Sequence, residues 1–326
     1  MNFLKNKKIL VTGGTGSFGK EFCSYLLKNH SPKKLIIYSR DELKQFELKK
    51  TMDSKVLRFF IGDIRDLPRF NQACCNVDII VHAAALKQVT AAEYNPFEFV
   101  KTNILGAQNI IEAAINNNIK KVIALSTDKA VSPINLYGAT KLASDKLFIA
   151  ANNTVGNKKI SFSVVRYGNV VNSRGSFFPE IKNNISKKIN ITNKDMTRFF
   201  ITLENSVKFV DDCLNRMVGG EIFIPKINSF KIVDLVKKLS PKSKLNFIGI
   251  RPGEKIHELL FSKDDSLNVI EFKKYYIIKP SINMTKKVNY HTNNKKEVGK
   301  QLEKNCEYSS ENFSILDQRK FNELEI

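Results

Sequence analysis

Tyr137-Gly138-Ala139-Thr140-Lys141 sets a phenol and an amine four residues apart, a spacing that brings both side chains to one face of a helix. An ammonium near a phenol favours the phenolate, so Tyr137, supported by Lys141, is a candidate base toward an alcohol. A surface pair on a helix is the plain alternative for such a spacing alone. Upstream, Ser126-Thr127-Asp128-Lys129 closes an apolar run, and Thr127 stands where a partner hydroxyl for Tyr137 is expected. Asp128 and Lys129 exceed what oxidation of an alcohol needs. An adjacent acid and base suit a second proton transfer, such as elimination of water, in which one group removes a proton and another protonates the departing hydroxyl. A solvated pair at a strand end is the competing reading.

Thr12-Gly13-Gly14-Thr15-Gly16-Ser17-Phe18-Gly19 follows the first apolar run and opens an amphipathic one. Gly13, Gly16 and Gly19 permit a tight turn and a close approach of backbone to a pyrophosphate. Thr15, Ser17 and Phe18 complete the loop at a helix N-terminus that favours anions. About twenty residues on, where NAD-binding units carry a carboxylate and NADP-binding ones an Arg, the chain reads Ser39-Arg40-Asp41-Glu42-Leu43-Lys44. Arg40, with Ser39 before it and Lys44 one turn later, suits a ribose 2′-phosphate and so NADP. Asp41 and Glu42 fit a helix cap. Asp63 and Ile64, in Gly62-Asp63-Ile64-Arg65-Asp66, are placed for an adenine, with a helix cap as the other role open to Asp63. Ala84, in His82-Ala83-Ala84-Ala85, is small enough to let the backbone lie against the cofactor.

Positioning these residues requires a regular frame, and the first half of the chain supplies one. Strands are predicted at Lys8–Val11, Leu35–Tyr38, Leu57–Ile61, Asp78–His82, Val122–Leu125 and Phe162–Val165, apolar on both faces. Helices are predicted between them, at Lys20–Lys28, Asp41–Lys50, Leu67–Cys74, Pro96–Asn117 and Asn135–Asn152. This alternation predicts an α/β fold, a doubly wound parallel sheet of the Rossmann kind with helices on both faces. After Gly168 the pattern loosens, with helices expected at Leu203–Met217 and Lys231–Leu239. The expected division is an NADP-binding domain at 1–168 and a smaller, mainly substrate-binding part at 169–326, some of whose segments return to the first. The tail beyond Thr285 is polar and is expected to pack loosely.

Composition narrows the class. The chain has 326 residues, 42% of them apolar, and a formal net charge of +21. Its lysines come as dispersed pairs, from Lys7-Lys8 to Lys286-Lys287, without the clustering among aromatics that marks a nucleic-acid face. No nucleic-acid partner is expected; the charge can help to attract an anionic substrate. Five cysteines in no framework spacing suit reduced thiols, and four scattered histidines form no metal-ligand pattern. Without a signal-peptide pattern or a bilayer-length apolar run, a cytoplasmic protein away from membranes is expected. An assembly of identical subunits is expected too.

As a set, these blocks resemble the UDP-N-acetylglucosamine 4,6-dehydratase (inverting) family that opens pseudaminic acid biosynthesis, within the extended short-chain dehydrogenase/reductase superfamily. Further matching blocks are Tyr38 to Gln45, Ala83 to Lys87, Ala92 to Pro96, Val164 to Val171, Met196 to Phe199, Gly219 to Phe223, Arg251 to Lys255 and Glu307 to Ser310. Gln88, Thr90 and Asn172 stand where the family tends to have His, Pro and Gly. The resemblance implies NADP as cofactor and UDP-N-acetylglucosamine as substrate. Tyr137, with Lys141 and Thr127, would deprotonate the C4 hydroxyl during oxidation there. Lys129, its proton affinity lowered by desolvation and nearby positive charge, would take the C5 proton, and a protonated Asp128 would donate to the departing C6 hydroxyl. Lys87 would lie near sugar and cofactor, Asn169 and Arg174 by the UDP, Arg198 and Arg251 at the pyrophosphate, and Glu254 at a ribose hydroxyl. Inversion at C5 rests on the resemblance alone. Two rivals stay open: another nucleotide-sugar reaction (4-epimerisation, or dehydration with retention at C5) and a non-catalytic NADP-binding regulator.

Overall fold

The computed structural model describes residues 3–173, 188–282, 288–312 and 318–324. Six strands carry the first half: β1 (Lys8–Thr12), β2 (Lys34–Ser39), β3 (Leu57–Ile61), β4 (Ile79–His82), β5 (Lys121–Thr127) and β6 (Ser161–Tyr167). They pair in parallel in the order β3-β2-β1-β4-β5-β6. The order reverses between β1 and β4, which opens a crevice beyond the carboxyl ends of the strands. Helices α1 (Ser17–Asn29), α2 (Glu42–Thr51) and α3 (Leu67–Ala73) connect the early strands. Short α4 (Val89–Tyr94) and α5 (Pro96–Phe99) lead through a π-turn, Val100–Leu105, into α6 (Gly106–Asn116), and α7 (Leu136–Ala151) joins β5 to β6.

Alternation along each strand builds two cores. Leu10, Ile36, Ile80 and Val122 face Phe70, Ile110 and Phe148 of α3, α6 and α7. Their neighbours Ile9, Val11, Ile37 and Ile123 turn the other way, onto Phe22 and Leu26 of α1 and Val210 and Leu214 of α8 (Leu203–Arg216). Both faces of the sheet are therefore covered, which is why its strands read as unbroken apolar runs.

The helix expected at Pro96–Asn117 is corrected in one respect, because a π-turn interrupts it. The extra residue aims the Asn103 amide inward, where it donates to the Leu86 carbonyl at 2.9 Å and the Thr140 hydroxyl at 3.0 Å, and its oxygen accepts from the Leu86 amide at 2.9 Å. Buried polar contacts of this kind repay the disturbed helix ladder.

Beyond Tyr167 come β7 (Asn169–Val170), β8 (Lys188–Ile191), β9 (Thr197–Ile201), β10 (Ile222–Pro225), β11 (Ser229–Lys231), α9 (Ile232–Leu239) and β12 (Lys244–Phe247). Then follow β13 (Leu259–Phe261), β14 (Val269–Glu271), β15 (Tyr275–Ile278), β16 (Lys300–Gln301), β17 (Tyr308–Ser309) and the short α10 (Gln318–Asn322). Strand β10 adds in parallel to β6, and β15, β14 and β16 continue antiparallel, for ten strands in all. Small sheets β11-β9-β7, β12-β8 and β13-β17 make up the rest, over a separate core that includes Ile191, Phe200, Phe230 and Leu235. The expectation of a loose tail beyond Thr285 is corrected. Glu297 binds the Arg216 guanidinium at 2.7 and 3.1 Å and accepts from Tyr275 at 3.1 Å, tying residues 288–301 to the large sheet. Among the described residues no helix is long and apolar enough to cross a membrane.

Candidate active site

The turn after β1 is shaped for close backbone approach. Gly13 has φ +65°, and a Cβ there would meet the Ala84 nitrogen at 2.8 Å and the Ala83 carbonyl at 2.9 Å. A Cβ on Gly19 would sit 2.4 Å from the Gly13 oxygen. Side chains at these points would fill the cradle or push α1 off the loop. The Thr12 hydroxyl accepts from the amides of Ala83 and Ala84 and lies 2.8 Å from His82 Nδ1, stitching β1 to the exit of β4. Burial, reinforced by Lys141, pushes His82 down to about 3. It is neutral at neutral pH and shares a hydrogen bond with the Thr12 hydroxyl.

From this turn a cleft of about 630 Å³ runs along the carboxyl ends of the strands. Gly13, Thr15, Gly16, Ser17, Phe18 and Gly19 line it at β1 and α1, and Ser39, Arg40 and Lys44 line it past β2. Asp63 and Ile64 join past β3, and Ala84 and Lys87 past β4. Arg40 is half exposed, its Nη1 3.6 Å from Asp63. Asp41 caps α2 by accepting from the Lys44 amide at 2.9 Å, and its carboxylate pairs with the Lys44 ammonium. The cap of α3 is Asp66; Asp63 instead holds Arg65, whose hydrogen bonds outweigh burial and keep the Asp63 carboxyl below its usual range. A tight glycine cradle at a helix N-terminus fits the pyrophosphate of a dinucleotide, and Arg40 and Lys44 stand past β2.

On the other side of the crevice, Thr127, Lys129, Tyr137 and Lys141 line the same cleft. Thr127 ends β5, and Asp128–Ala130 form a single 3-10 turn. Asn135 caps α7 by accepting from the Gly138 amide at 2.7 Å. Gly138 is the contact between the two elements: a Cβ there would lie 2.1 Å from the Lys129 oxygen. Tyr137 stands beside Thr127, Thr127 donates to Asp128 Oδ1 at 2.9 Å, and Lys129 Nζ donates to the same oxygen at 3.1 Å. Phenol, hydroxyl, carboxylate and ammonium thus stand in one row, hydrogen-bonded from Thr127 to Lys129.

Three expectations about this row are corrected. Lys141 was expected to ease deprotonation of Tyr137, but its ammonium donates to the Leu125 carbonyl at 2.8 Å. Burial pushes the phenol up to about 12, and the cation that counters this is Lys129. Lys129 was expected to hold its proton weakly. Burial does act that way, yet the carboxylates of Asp128 and Glu258, the latter 3.3 Å away, outweigh it and raise the ammonium above its ordinary value. Asp128, expected to donate to the departing C6 hydroxyl, is fully buried and does not line the cleft; its hydrogen bonds run to Thr127 and Lys129.

The expected sugar-nucleotide residues divide. Lys87 and Asn169 line the cleft. Arg198 does not; it is 5% exposed, and its guanidinium donates to the carbonyls of Thr197, Ile256 and Lys255 at 2.7–2.9 Å. Arg251 is exposed and Glu254 partly so, the Arg251 amide 3.4 Å from the Glu254 carboxylate, and neither lines the cleft. Arg174 lies outside the described residues. Asn172 has φ +58°, the left-handed region that Gly enters freely and Asn tolerates. Gln88 lines the cleft, and Thr90 is exposed on α4. Sequence reasoning missed Glu258, which stands three positions past the Arg251–Lys255 block in a stretch with no pattern of its own.

The protein family described as polysaccharide biosynthesis protein matches residues 9–280. The UDP-N-acetylglucosamine 4,6-dehydratase (inverting) of Campylobacter jejuni subsp. jejuni serotype O:2 is 56% identical over 318 residues, 96% of this chain and 95% of that protein. The chain belongs to the inverting UDP-N-acetylglucosamine 4,6-dehydratase family. This dehydratase-family chain is also 42% identical over 282 residues to a UDP-glucose 4-epimerase of Rickettsia akari, covering 84% and 83% of the two. Among solved structures, Pen from Bacillus thuringiensis matches with TM-score 0.88 and 37% identity, over 98% of this chain and 97% of that one.

Proposed function

We propose that this enzyme removes water from UDP-N-acetylglucosamine, oxidising C4, eliminating across C5 and C6, and inverting C5. The product is UDP-2-acetamido-2,6-dideoxy-β-L-arabino-hexos-4-ulose, which would open pseudaminic acid biosynthesis in the cytoplasm. The observation that carries the reading is the row Tyr137–Thr127–Asp128–Lys129 on the wall of the cleft beside the glycine cradle. Residues 1–168 would hold the cofactor and 169–326 mainly the sugar nucleotide, in a homo-oligomer.

NADP is the cofactor that Arg40 and Lys44 favour, and when bound it supplies the oxidant for C4 and the reductant for C6. Tyr137 takes the C4 hydroxyl proton, which the row passes by way of Thr127 toward Asp128. Lys129 must lose its proton to solvent before turnover, against the pull of Asp128 and Glu258. It then removes the C5 proton that the new ketone has made acidic, while Asp128 holds the proton from C4. Lys129 then gives a proton to the departing C6 hydroxyl and is resupplied from Asp128. The last proton reaches C5 on the face opposite the one that lost its proton, which inverts that centre. Two protons leave the sugar and two are delivered, so the row ends as it began. Lys87 and Asn169 would orient the sugar nucleotide, with Arg174, Arg198, Arg251 and Glu254 assigned to its UDP portion; Arg198 must then give up a backbone carbonyl to reach it.

Incubation with UDP-N-acetylglucosamine in heavy water tests this. The expected product has lost one water, carries a C6 methyl, and holds deuterium at C5 with inverted configuration. A 4-epimerase, the reading that the Rickettsia akari relative favours, would leave the mass unchanged, and a regulator would leave the substrate intact. A product that retains its C6 oxygen overturns the proposal.

A further inference from the structure

A lysine that must accept a proton stands here between two carboxylates, and only one of them comes from its own turn. Asp128 Oδ1 lies 3.1 Å from Lys129 Nζ, and Glu258 Oε1 lies 3.3 Å from it. Glu258 is 2% exposed and is held on both sides of its backbone. Its amide donates to the Ser310 hydroxyl at 2.8 Å, and the Ser310 amide donates to its carbonyl at 2.8 Å, beside the β13-β17 pair. Thr197 of β9 fixes Ser310 in turn, with the two hydroxyls 2.7 Å apart. The carboxylate is therefore aimed by three segments distant in sequence, and a buried charge so placed needs a reason.

The groups facing Lys129 are Asp128 on its own turn, Tyr137 on α7, Arg198 on β9 and Glu258. Arg198 Nε is 3.9 Å from Glu258 Oε1, and Lys255 Nζ is 3.9 Å from Glu258 Oε2. That second oxygen has no hydrogen-bond partner among the described residues. The two carboxylates thus face two other cations, Arg198 and Lys255. Before turnover, with Lys129 unprotonated and Asp128 ionised, the remaining four charges balance in the buried cluster. Glu258 Oε1 is the oxygen that faces Lys129, at 3.3 Å. Without Glu258, three cations would crowd a single carboxylate.

We propose that Glu258 is the positioning residue that holds the Lys129 ammonium in the wall of the cleft and sets the pH at which Lys129 can accept the C5 proton. This rests on Lys129 being the base of the proposed reaction, and the experiment separates the two claims. In the full-length protein, the rate of Lys129 acetylation by acetic anhydride is read by peptide mass spectrometry at fixed pH, with the exposed lysines as internal references. Glu258→Gln is expected to raise that rate about tenfold or more, since loss of an opposite charge at this range shifts a proton affinity by about one to three units. Glu258→Asp keeps the charge one methylene farther off and gives a smaller rise; it serves alone if Glu258→Gln does not fold. No rise in either variant overturns the proposal. For product formation, the alkaline-rising limb of kcat against pH should move down by about one to three units in Glu258→Gln, with KM little changed. A kcat lowered equally at every pH, with no shift of the limb, and an unchanged acetylation rate would mean that Glu258 only supports the fold. Faster acetylation with an unmoved limb would uphold the hold of Glu258 on Lys129 and remove Lys129 from the role of base.

Discussion

Tyr137 and Lys129 occupy two ends of one row of polar side chains, and their tasks fall at different stages. Tyr137→Phe removes the group that takes the C4 proton. Formation of the C4 ketone should fall about 10²–10⁴-fold, the usual worth of a positioned acid or base. Lys129→Ala should still form the ketone and stop before water is lost, which rapid quenching and mass spectrometry would show as an oxidised sugar with its C6 oxygen in place. If both variants halt at the same species, the division of labour is wrong. Past β2, Arg40 can pair with a 2′-phosphate while Lys44 is shared with Asp41. Arg40→Asp should cost about 1.5–3 kcal/mol of NADP binding and leave NAD nearly untouched, as read by calorimetry. Equal affinities for NADP and NAD in the unmodified protein would remove the NADP assignment. At this scale the sequence was legible where local spacing alone decides, as in Tyr137 and Lys141 reaching one cleft from one helix; the help expected from Lys141 to Tyr137 was not. Charge states were not, because the ordinary expectation for Lys129 took no account of Glu258.

The elements matter through their joints. Helix α7 lies against the Asp128–Ala130 turn with Gly138 at the contact. Gly138→Ala forces a methyl toward the Lys129 carbonyl, and overpacking of this kind costs about 1–3 kcal/mol. The lowest-cost relief is a shift of the turn that carries Lys129. The expected result is a large fall in kcat with NADP affinity near that of the parent, measured by steady-state assays and calorimetry; a loss of NADP binding equal to the loss of turnover would show that the joint serves the whole cleft. The six strands of the first half and most helices were legible within a residue or two, since unbroken apolar runs and helical periodicity each follow from burial. The π-turn at Val100–Leu105 was not, because it answers to Leu86 and Thr140, partners that adjacent sequence does not contain.

For the molecule as a whole, acid should weaken the fold from the cofactor side of the sheet. His82 is held neutral down to about pH 3, whereas in an unfolded chain it charges near 6.5. Between those values the unfolded state binds the extra proton, so stability rises with pH across the window and is lost on acidification. The slope from this group is at most about 1.4 kcal/mol per pH unit. His82→Gln should flatten the dependence of urea midpoints between about pH 4 and pH 7; an unchanged slope would show that His82 stays accessible to protons in the folded protein. The tail follows the same logic of distant partners: its polar composition reads as loose, but Glu297 finds Arg216 at the end of α8 and Tyr275 on β15.

Local physics is what this sequence determined unaided. Glycines that allow backbone approach, a cation past the second strand, a Tyr-Lys pair on one helical face and strands buried on both sides all depend on near neighbours in the chain. The tertiary structure alone decided matters of long-range proximity: that Asp128 lies beneath Thr127 and Lys129, that Arg198 is committed to three backbone carbonyls, and that Glu258 completes the charge around Lys129. Electrostatic energies depend on distance in space and on burial, and neither quantity is written into the spacing of residues along a chain.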